Sequence, residues 1–184
     1  MITHWKLIAV LLLIVVAQLT WAQRVRDPLN SKETNELREA KQDPPKRLKL
    51  YTQYARARMQ AIEHLRSDPR FAADRGPEMH DLIQDLGTIV DEMDDNIDMY
   101  AEARWDIRKP LKEIIQTDTE LQLKLRQLKE SATGDPALAE EVQKHYRFVL
   151  DDTIESVNSS LDIARKTLED QEAAAKKKEL RKPE

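Results

Sequence analysis

Apolar residues recur at helical spacing along most of the chain, and the clearest pattern is a seven-residue repeat. Every seventh residue of one long stretch is apolar: Met79, Leu86, Met93, Tyr100, Ile107, Ile114, Leu121 and Leu128. Three polar residues, Asn96, Arg104 and Asp118, interrupt the same stripe. A sustained heptad pattern is typical of a helix whose apolar edge packs against a partner helix. It predicts a long helix over about 77–131.

Pro110 lies inside this series, and the repeat keeps its phase across it. A proline in a helix interior costs about 3 kcal/mol and bends the helix. Because an inserted loop would usually shift the register, we predict a continuous helix kinked at Pro110, with Trp105 plugging the core beside the kink. The alternative is that the chain breaks near 106–110 and folds into a compact bundle.

Prolines preceded by capping residues delimit the other helices. Asp43 precedes Pro44-Pro45, and Asp135 precedes Pro136, as expected where proline occupies a first helical turn. Asn30, with Glu33 three residues later, is the signature of a capping box. The predicted helices are a short one over Ser31–Lys41 and long ones over about 44–67, 77–131 and 136–178.

The predicted fold is all-α. We expect an elongated helical hairpin or coiled-coil-like bundle of three to four long antiparallel helices. It forms a single domain over 44–178, preceded by an extension (23–43) and followed by a charged, disordered tail (179–184). Gly87, inside the third helix, costs about 1 kcal/mol relative to alanine, so we expect it to allow a neighbouring helix to approach closely.

The first 22 residues have the features of a cleavable signal peptide. Lys6 precedes an unbroken apolar run, Leu7–Ala17, and Ala22 supplies a small residue at a cleavage position. Cleavage after Ala17 and an uncleaved anchor are the alternatives, although the run is shorter than the roughly 20 residues that cross a bilayer. The sequence therefore predicts a periplasmic or secreted protein.

The amino-acid composition excludes several kinds of functional site. The 184 residues include no cysteine and three glycines, and 35% are charged. Disulfides, thiolate nucleophiles and cysteine metal sites are therefore excluded, and a glycine-rich phosphate loop is not expected. Because neither a Gly-x-Ser-x-Gly nor a His-Glu-x-x-His motif occurs, we expect no enzyme, and we assign no catalytic, cofactor-binding or metal-ligating residue and no cofactor.

Two groups of residues keep a metal-binding alternative open. The stretch 91–98 carries five carboxylates, and Asp91, Asp94, Asp95 and Asp98 share one helix face. Such crowding is costly unless a cation or basic neighbours offset it. Glu141 and His145 lie one helical turn apart, a spacing that can chelate zinc or copper. The alternative function is therefore a metal-binding or metal-responsive periplasmic helical bundle.

The charge pattern bears on possible partners. Residues 44–70 hold seven bases and two acids, whereas 77–106 hold ten acids and one base. We expect these two helices to lie side by side. The formal charge of −4 disfavours nucleic acid, although the basic second helix and the lysine tail could weakly contact anionic envelope surfaces.

The length of the apolar heptad stripe favours a function that depends on contacts with another protein chain. Part of the apolar stripe beyond about residue 107 has only the last helix as a partner, so a second copy or another protein could cover the remainder. The leading hypothesis is an exported, non-enzymatic interaction protein, acting as a scaffold, an adaptor or a holdase-like chaperone. Its partner is another protein or a further copy of the chain.

Overall fold

A computed structural model describes residues 26–71, 75–131, 134 and 136–180. Within these residues 91% are helical and none lies in a strand, which confirms the all-α class. The helices are α1 (Ser31–Glu39), α2 (Pro44–Ser67), α3 (Arg75–Glu102), α4 (Arg108–Ser131), α5 (Pro136–Glu141) and α6 (Arg147–Glu179). Short 3₁₀ turns follow α1 and α2, and a π-helical turn, Val142–Tyr146, joins α5 to α6.

The N-terminal ends of α1 and α2 follow from their sequences. The Asn30 side chain accepts hydrogen bonds from the backbone N–H groups of Lys32 and Glu33, and the Glu33 carboxylate accepts from the N–H of Asn30. The Asp43 side chain accepts from the N–H of Lys46, ahead of a first turn that contains proline. These caps satisfy N–H groups that the helices themselves leave without partners.

The long helices α2, α3, α4 and α6 pack around one core. Helix α2 contacts α3 and α4, and α6 contacts the same two helices from the other side. Arg47 meets Asn96 and Arg58 meets Asp85, so α2 and α3 run antiparallel. The expected pairing of the basic α2 with the acidic α3 is therefore present.

The remaining neighbours comprise parallel as well as antiparallel pairs. Lys129 pairs with Asp151 while Lys112 pairs with Glu172, so α4 and α6 run antiparallel. In contrast, Ile83 contacts Thr153 and Asp94 contacts Ser160, so α3 and α6 run parallel. The prediction of long antiparallel helices is thus wrong for the pair α3 and α6.

The expected continuous helix kinked at Pro110 is also wrong. Helix α3 ends at Glu102, and α4 begins at Arg108 in a new direction, so the alternative of a break and a compact bundle is correct. Pro110 occupies the first turn of α4, where a missing N–H removes no helical hydrogen bond. The proline therefore marks the start of a helix and not a bend within one.

The heptad positions are nevertheless buried, and the chain itself covers them. All eight are 5% exposed or less. Helix α4 has both α2 and α6 as neighbours, because the chain turns back after α3. In the part of the chain that the structure describes, the protein's own helices thus cover the apolar stripe beyond residue 107. A surface for a partner has to be sought elsewhere.

None of the helices described is both long and apolar enough to span a membrane. The predicted signal peptide, Met1–Ala22, lies outside the described residues, as do the last four residues of the predicted tail.

Candidate functional site

The most distinctive local geometry is the turn between α3 and α4. The N–H of Trp105 donates to the carbonyl oxygen of Tyr100 at 2.9 Å, and the N–H of Arg104 donates to that of Ala101 at 3.0 Å. These two bonds form a Schellman motif, which usually places glycine at the left-handed position. Here Arg104 occupies it with φ 60°. A non-glycine residue in this region costs about 1–2 kcal/mol.

A side chain from α6 fixes this strained turn. Gln171 donates from Nε2 to the carbonyl oxygen of Trp105 at 2.9 Å, and its Oε1 accepts from the N–H of Ile107 at 3.1 Å. The side chain of Ile107 is buried, whereas that of Trp105 is 50% exposed. The turn is therefore anchored on one side and presents an indole ring on the other. The expectation that Trp105 plugs the core is wrong.

Trp105 lies at the edge of a cleft of about 730 Å³ between the N-terminal segment and the end of α3. Tyr51 and Tyr100 are buried in its lining, and Met99, 51% exposed, also lines it. Clefts of about 300–1,000 Å³ with apolar and aromatic linings are typical of binding sites. This cleft can accept an apolar group between a thioether and aromatic rings.

A hydrogen-bond network holds one wall of the cleft in place. Arg47 donates to the Asn96 side chain at 2.9 Å and to the carbonyl oxygen of Leu37 at 2.8 Å, which ties α1, α2 and α3 together. The Tyr51 hydroxyl donates to the Glu92 carboxylate at 3.3 Å. Burial raises the pKa of Glu92, and this hydrogen bond partly opposes the shift. The protein's own side chains therefore hold this wall in place.

The cleft also has a basic side. Arg38 and Lys41, both exposed, line it from the end of α1 and the turn that follows. Arg38 donates to the Asn35 side chain, a neutral partner, at 3.2 Å. Asp27 and Glu92 also line the cleft, as does a third base, Arg47. Three bases against two acids give the lining a small net positive charge.

The structure divides the acidic stretch 91–98 among different surroundings. Asp91, Asp95 and Asp98 are exposed on α3. Asp94 turns towards α6 and accepts a hydrogen bond of 2.6 Å from the Ser160 hydroxyl. The four aspartates therefore do not converge on one point.

The Glu141 and His145 pair is likewise held by other contacts. Arg75 donates to both carboxylate oxygens of Glu141, from Nε at 3.0 Å and from Nη2 at 2.7 Å. The ring of His145 lies so close to Gly76 that a Cβ there would be 2.6 Å from its atoms. Among the described residues, no group of three or more histidines, aspartates or glutamates is arranged to hold a metal ion.

The cleft could not be found from the apolar periodicity, because its key residues lie where the pattern is interrupted. Asn96 and Arg104 break the heptad stripe, and both now support the cleft or the turn beside it. An exposed tryptophan next to such an interruption is the signal that sequence reasoning missed.

The chain matches no protein-family model, and neither curated proteins nor solved structures provide a significant match.

Proposed function

We propose that the protein is a non-enzymatic helical interaction module that binds an apolar, acidic segment of a partner protein in the cleft beside Trp105. The observation that carries the proposal is a half-exposed tryptophan on a strained turn that Gln171 clamps in place. Strained backbone of this kind clusters at functional sites. Tryptophan is also among the residues that contribute most binding energy at protein interfaces.

The chemistry of the cleft defines the partner. Met99 and Trp105 offer apolar surface, and methionine side chains adapt to differently shaped ligands. Arg38 and Lys41 favour carboxylates at the edge. An amphipathic segment with leucine or phenylalanine among acidic residues meets both requirements. An adaptor or holdase-like chaperone of the cell envelope would use such a surface, provided that the predicted signal peptide exports the chain.

A pair of peptides tests this proposal. One short, fluorescently labelled peptide carries leucine and phenylalanine among glutamates, and its twin carries lysine in place of each glutamate. Fluorescence anisotropy should show saturable binding of the acidic peptide and much weaker binding of the basic one. Trp105→Ala should weaken binding about 30-fold, because truncating a central interface tryptophan costs about 2 kcal/mol.

Matched variants distinguish binding in the cleft from nonspecific binding to other exposed residues. Phe148 is 75% exposed on α6 and is absent from the cleft lining, so Phe148→Ala should leave binding unchanged. Lys41→Glu should weaken binding, whereas Lys49→Glu, an exposed change on α2 outside the cleft, should have a smaller effect. Equal losses in Trp105→Ala and Phe148→Ala, or equal affinity for the two peptides, would contradict the proposal.

A further inference from the structure

One buried carboxyl group, Asp118, and one partly buried carboxyl group, Asp94, interact with the same serine hydroxyl inside the bundle, away from the residues that line the cleft. Asp118 on α4 is 0% exposed, and neither of its oxygens has a hydrogen-bond partner. Ser160 on α6 is also 0% exposed and donates to Asp94 of α3 at 2.6 Å. Three helices therefore contribute one polar side chain each to the same small region of the core.

Asp94, Ser160 and Asp118 have one hydrogen fewer than their hydrogen-bonding atoms require when both acids are ionised. A serine hydroxyl carries a single hydrogen, and that of Ser160 is donated to Asp94. It cannot also be donated to Asp118, so an ionised Asp118 would be a buried, unpartnered charge, which is very costly. A proton on Asp118 removes the charge and turns the carboxyl into a hydrogen-bond donor. One added proton therefore removes the costly buried charge.

We infer that Asp94, Ser160 and Asp118 form a buried proton-binding site, which holds one proton between its two carboxyl groups and loosens the packing of α3, α4 and α6 when that proton is lost. A hard divalent cation is the competing ligand. It prefers six or more oxygen atoms, or several retained waters, whereas these three side chains offer five oxygens, one of which already accepts the Ser160 hydrogen.

The surrounding charges agree with proton retention near neutral pH. Burial raises the pKa of Asp94 to about 7; Ser160 opposes the shift, and Asp91, Asp98 and Asp95 of the same helix reinforce it. Burial likewise raises the pKa of Asp118 to about 7, where Asp94 reinforces the shift and Ser160 and Arg56 oppose it.

Arg56 on α2 is the basic group that acts on this site, and it is shared with other acids. It lies 3.6 Å from Glu113 and 3.5 Å from Glu120 on α4. Its charge therefore does not compensate a fully ionised pair. From α6, the site receives the uncharged Ser160 hydroxyl.

The direction of the pH dependence follows from these raised pKa values. The unfolded chain ionises both acids near their usual value of about 4, whereas the folded pair retains its one shared proton up to about pH 7. Stability is therefore greatest below the unfolded value and is lost as the pH rises towards 7. The retained proton can change the folding equilibrium constant by about tenfold per pH unit in this window.

Urea unfolding of the full chain from pH 4.5 to pH 8 tests the inference. Relative to Asp118→Asn, the wild-type folding constant should fall at least tenfold between pH 5 and pH 7, because the amide has nothing to ionise. The exposed Asp170→Asn on α6, whose charge does not act on either acid of the site, is the matched control and should follow the wild-type curve. Parallel curves for wild type and Asp118→Asn would overturn the inference.

A second measurement keeps the inference testable even if Asp118→Asn does not fold. Carbon-13 NMR of the wild-type aspartate carboxyl groups should show uptake of one proton by the pair near neutral pH. Titration midpoints below pH 5 for both Asp94 and Asp118 would overturn the inference. So would a cation effect at pH 8, in which millimolar Ca²⁺, Mg²⁺ or Mn²⁺ stabilises the wild type but not Asp118→Asn.

Discussion

The side-chain amide of Gln171 donates a hydrogen bond of 2.9 Å to the carbonyl oxygen of Trp105 and so joins the last helix to the turn between α3 and α4. Its oxygen accepts from the N–H of Ile107 in the same turn. Both backbone groups lie between helices, where no helical partner is available to them. One side chain from α6 therefore sets the position of the indole.

Substitutions at Gln171 test the role of its two hydrogen bonds to the turn. Gln171→Ala should destabilise the protein by about 1–2 kcal/mol, because two hydrogen bonds are lost. Gln171→Glu should cost at least as much, since it keeps the acceptor for Ile107 but turns a carboxylate oxygen towards the carbonyl oxygen of Trp105, which repels it. Urea unfolding measures the stability, and near-ultraviolet circular dichroism reports on the indole. Glu169→Ala, an exposed change on the same helix, is the control and should leave both signals unchanged.

The left-handed residue of the turn provides a second prediction. Arg104→Gly should stabilise the protein by about 0.5–1 kcal/mol, because glycine adopts φ 60° without strain but loses more chain entropy on folding. Arg104→Ala should stay within about 0.5 kcal/mol of the wild type, because alanine keeps the strain. Thermal and urea unfolding measure the difference. A gain for alanine as large as that for glycine would show that the arginine side chain, and not its backbone, is unfavourable.

The close approach of α3 and α6 at Gly87 was expected from the sequence, and the structure confirms it. A Cβ at this position would lie 2.9 Å from the Thr153 hydroxyl oxygen, which donates to the carbonyl oxygen of Ile83. Gly87→Ala should therefore destabilise the protein by about 1–2 kcal/mol despite the better helix propensity of alanine.

A double-mutant cycle locates the cause of that loss. Thr153→Ala removes the hydroxyl that the new methyl group would meet, so Gly87→Ala should cost much less in the Thr153→Ala background. Additive costs in urea unfolding would mean that the close contact at 2.9 Å is not responsible.

The attachment of α1 to the bundle predicts a loss of stability in acid. The Glu33 carboxylate accepts from Arg58 at 3.0 and 2.6 Å and from the N–H of Asn30 at 2.9 Å. Burial alone would raise the pKa of Glu33, but the hydrogen bonds from Arg58 and Asn30 bring it below its usual value. Because the folded pKa is the lower one, the stabilisation is present above the unfolded value of about 4.5 and is lost as the pH falls through the folded value.

Glu33→Gln isolates this contribution. At pH 7 the variant should be about 2 kcal/mol less stable, because hydrogen bonds to a charged carboxylate are replaced by weaker ones. The difference should shrink as the pH falls below about 4. Glu39→Gln, an exposed change at the end of the same helix, is the control. A deficit for Glu33→Gln that is constant from pH 7 to pH 3 would contradict the role of the carboxylate charge.

Much of the fold could be predicted because burial follows apolar periodicity. All eight heptad positions from Met79 to Leu128 are buried, and the caps at Asn30 and Asp43 form where their side chains indicate. The break near 106–110 was only the alternative prediction, because the turn after α3 has Arg104 at the left-handed position where glycine is the usual signal. The five residues between α3 and α4 also preserve the heptad phase. The seven-residue spacing of apolar residues therefore could not reveal a turn.

The candidate sites depend on contacts between distant parts of the chain, which periodicity does not encode. Asp118 was recognised as an interruption of the apolar stripe, but its meeting with Ser160 requires the antiparallel return of α6. Similarly, the cleft at Trp105 forms only because α1 packs near the end of α3.

The emission of Trp105 tests the central claim most directly. In the full chain with Trp5→Phe and Trp21→Phe, Trp105 is the single tryptophan. Saturating addition of the acidic amphipathic peptide should shift its emission to shorter wavelength and reduce its quenching by iodide, because the indole becomes covered. If the labelled peptide binds while the emission and quenching of Trp105 stay unchanged, the partner lies elsewhere and the cleft is not the interaction site.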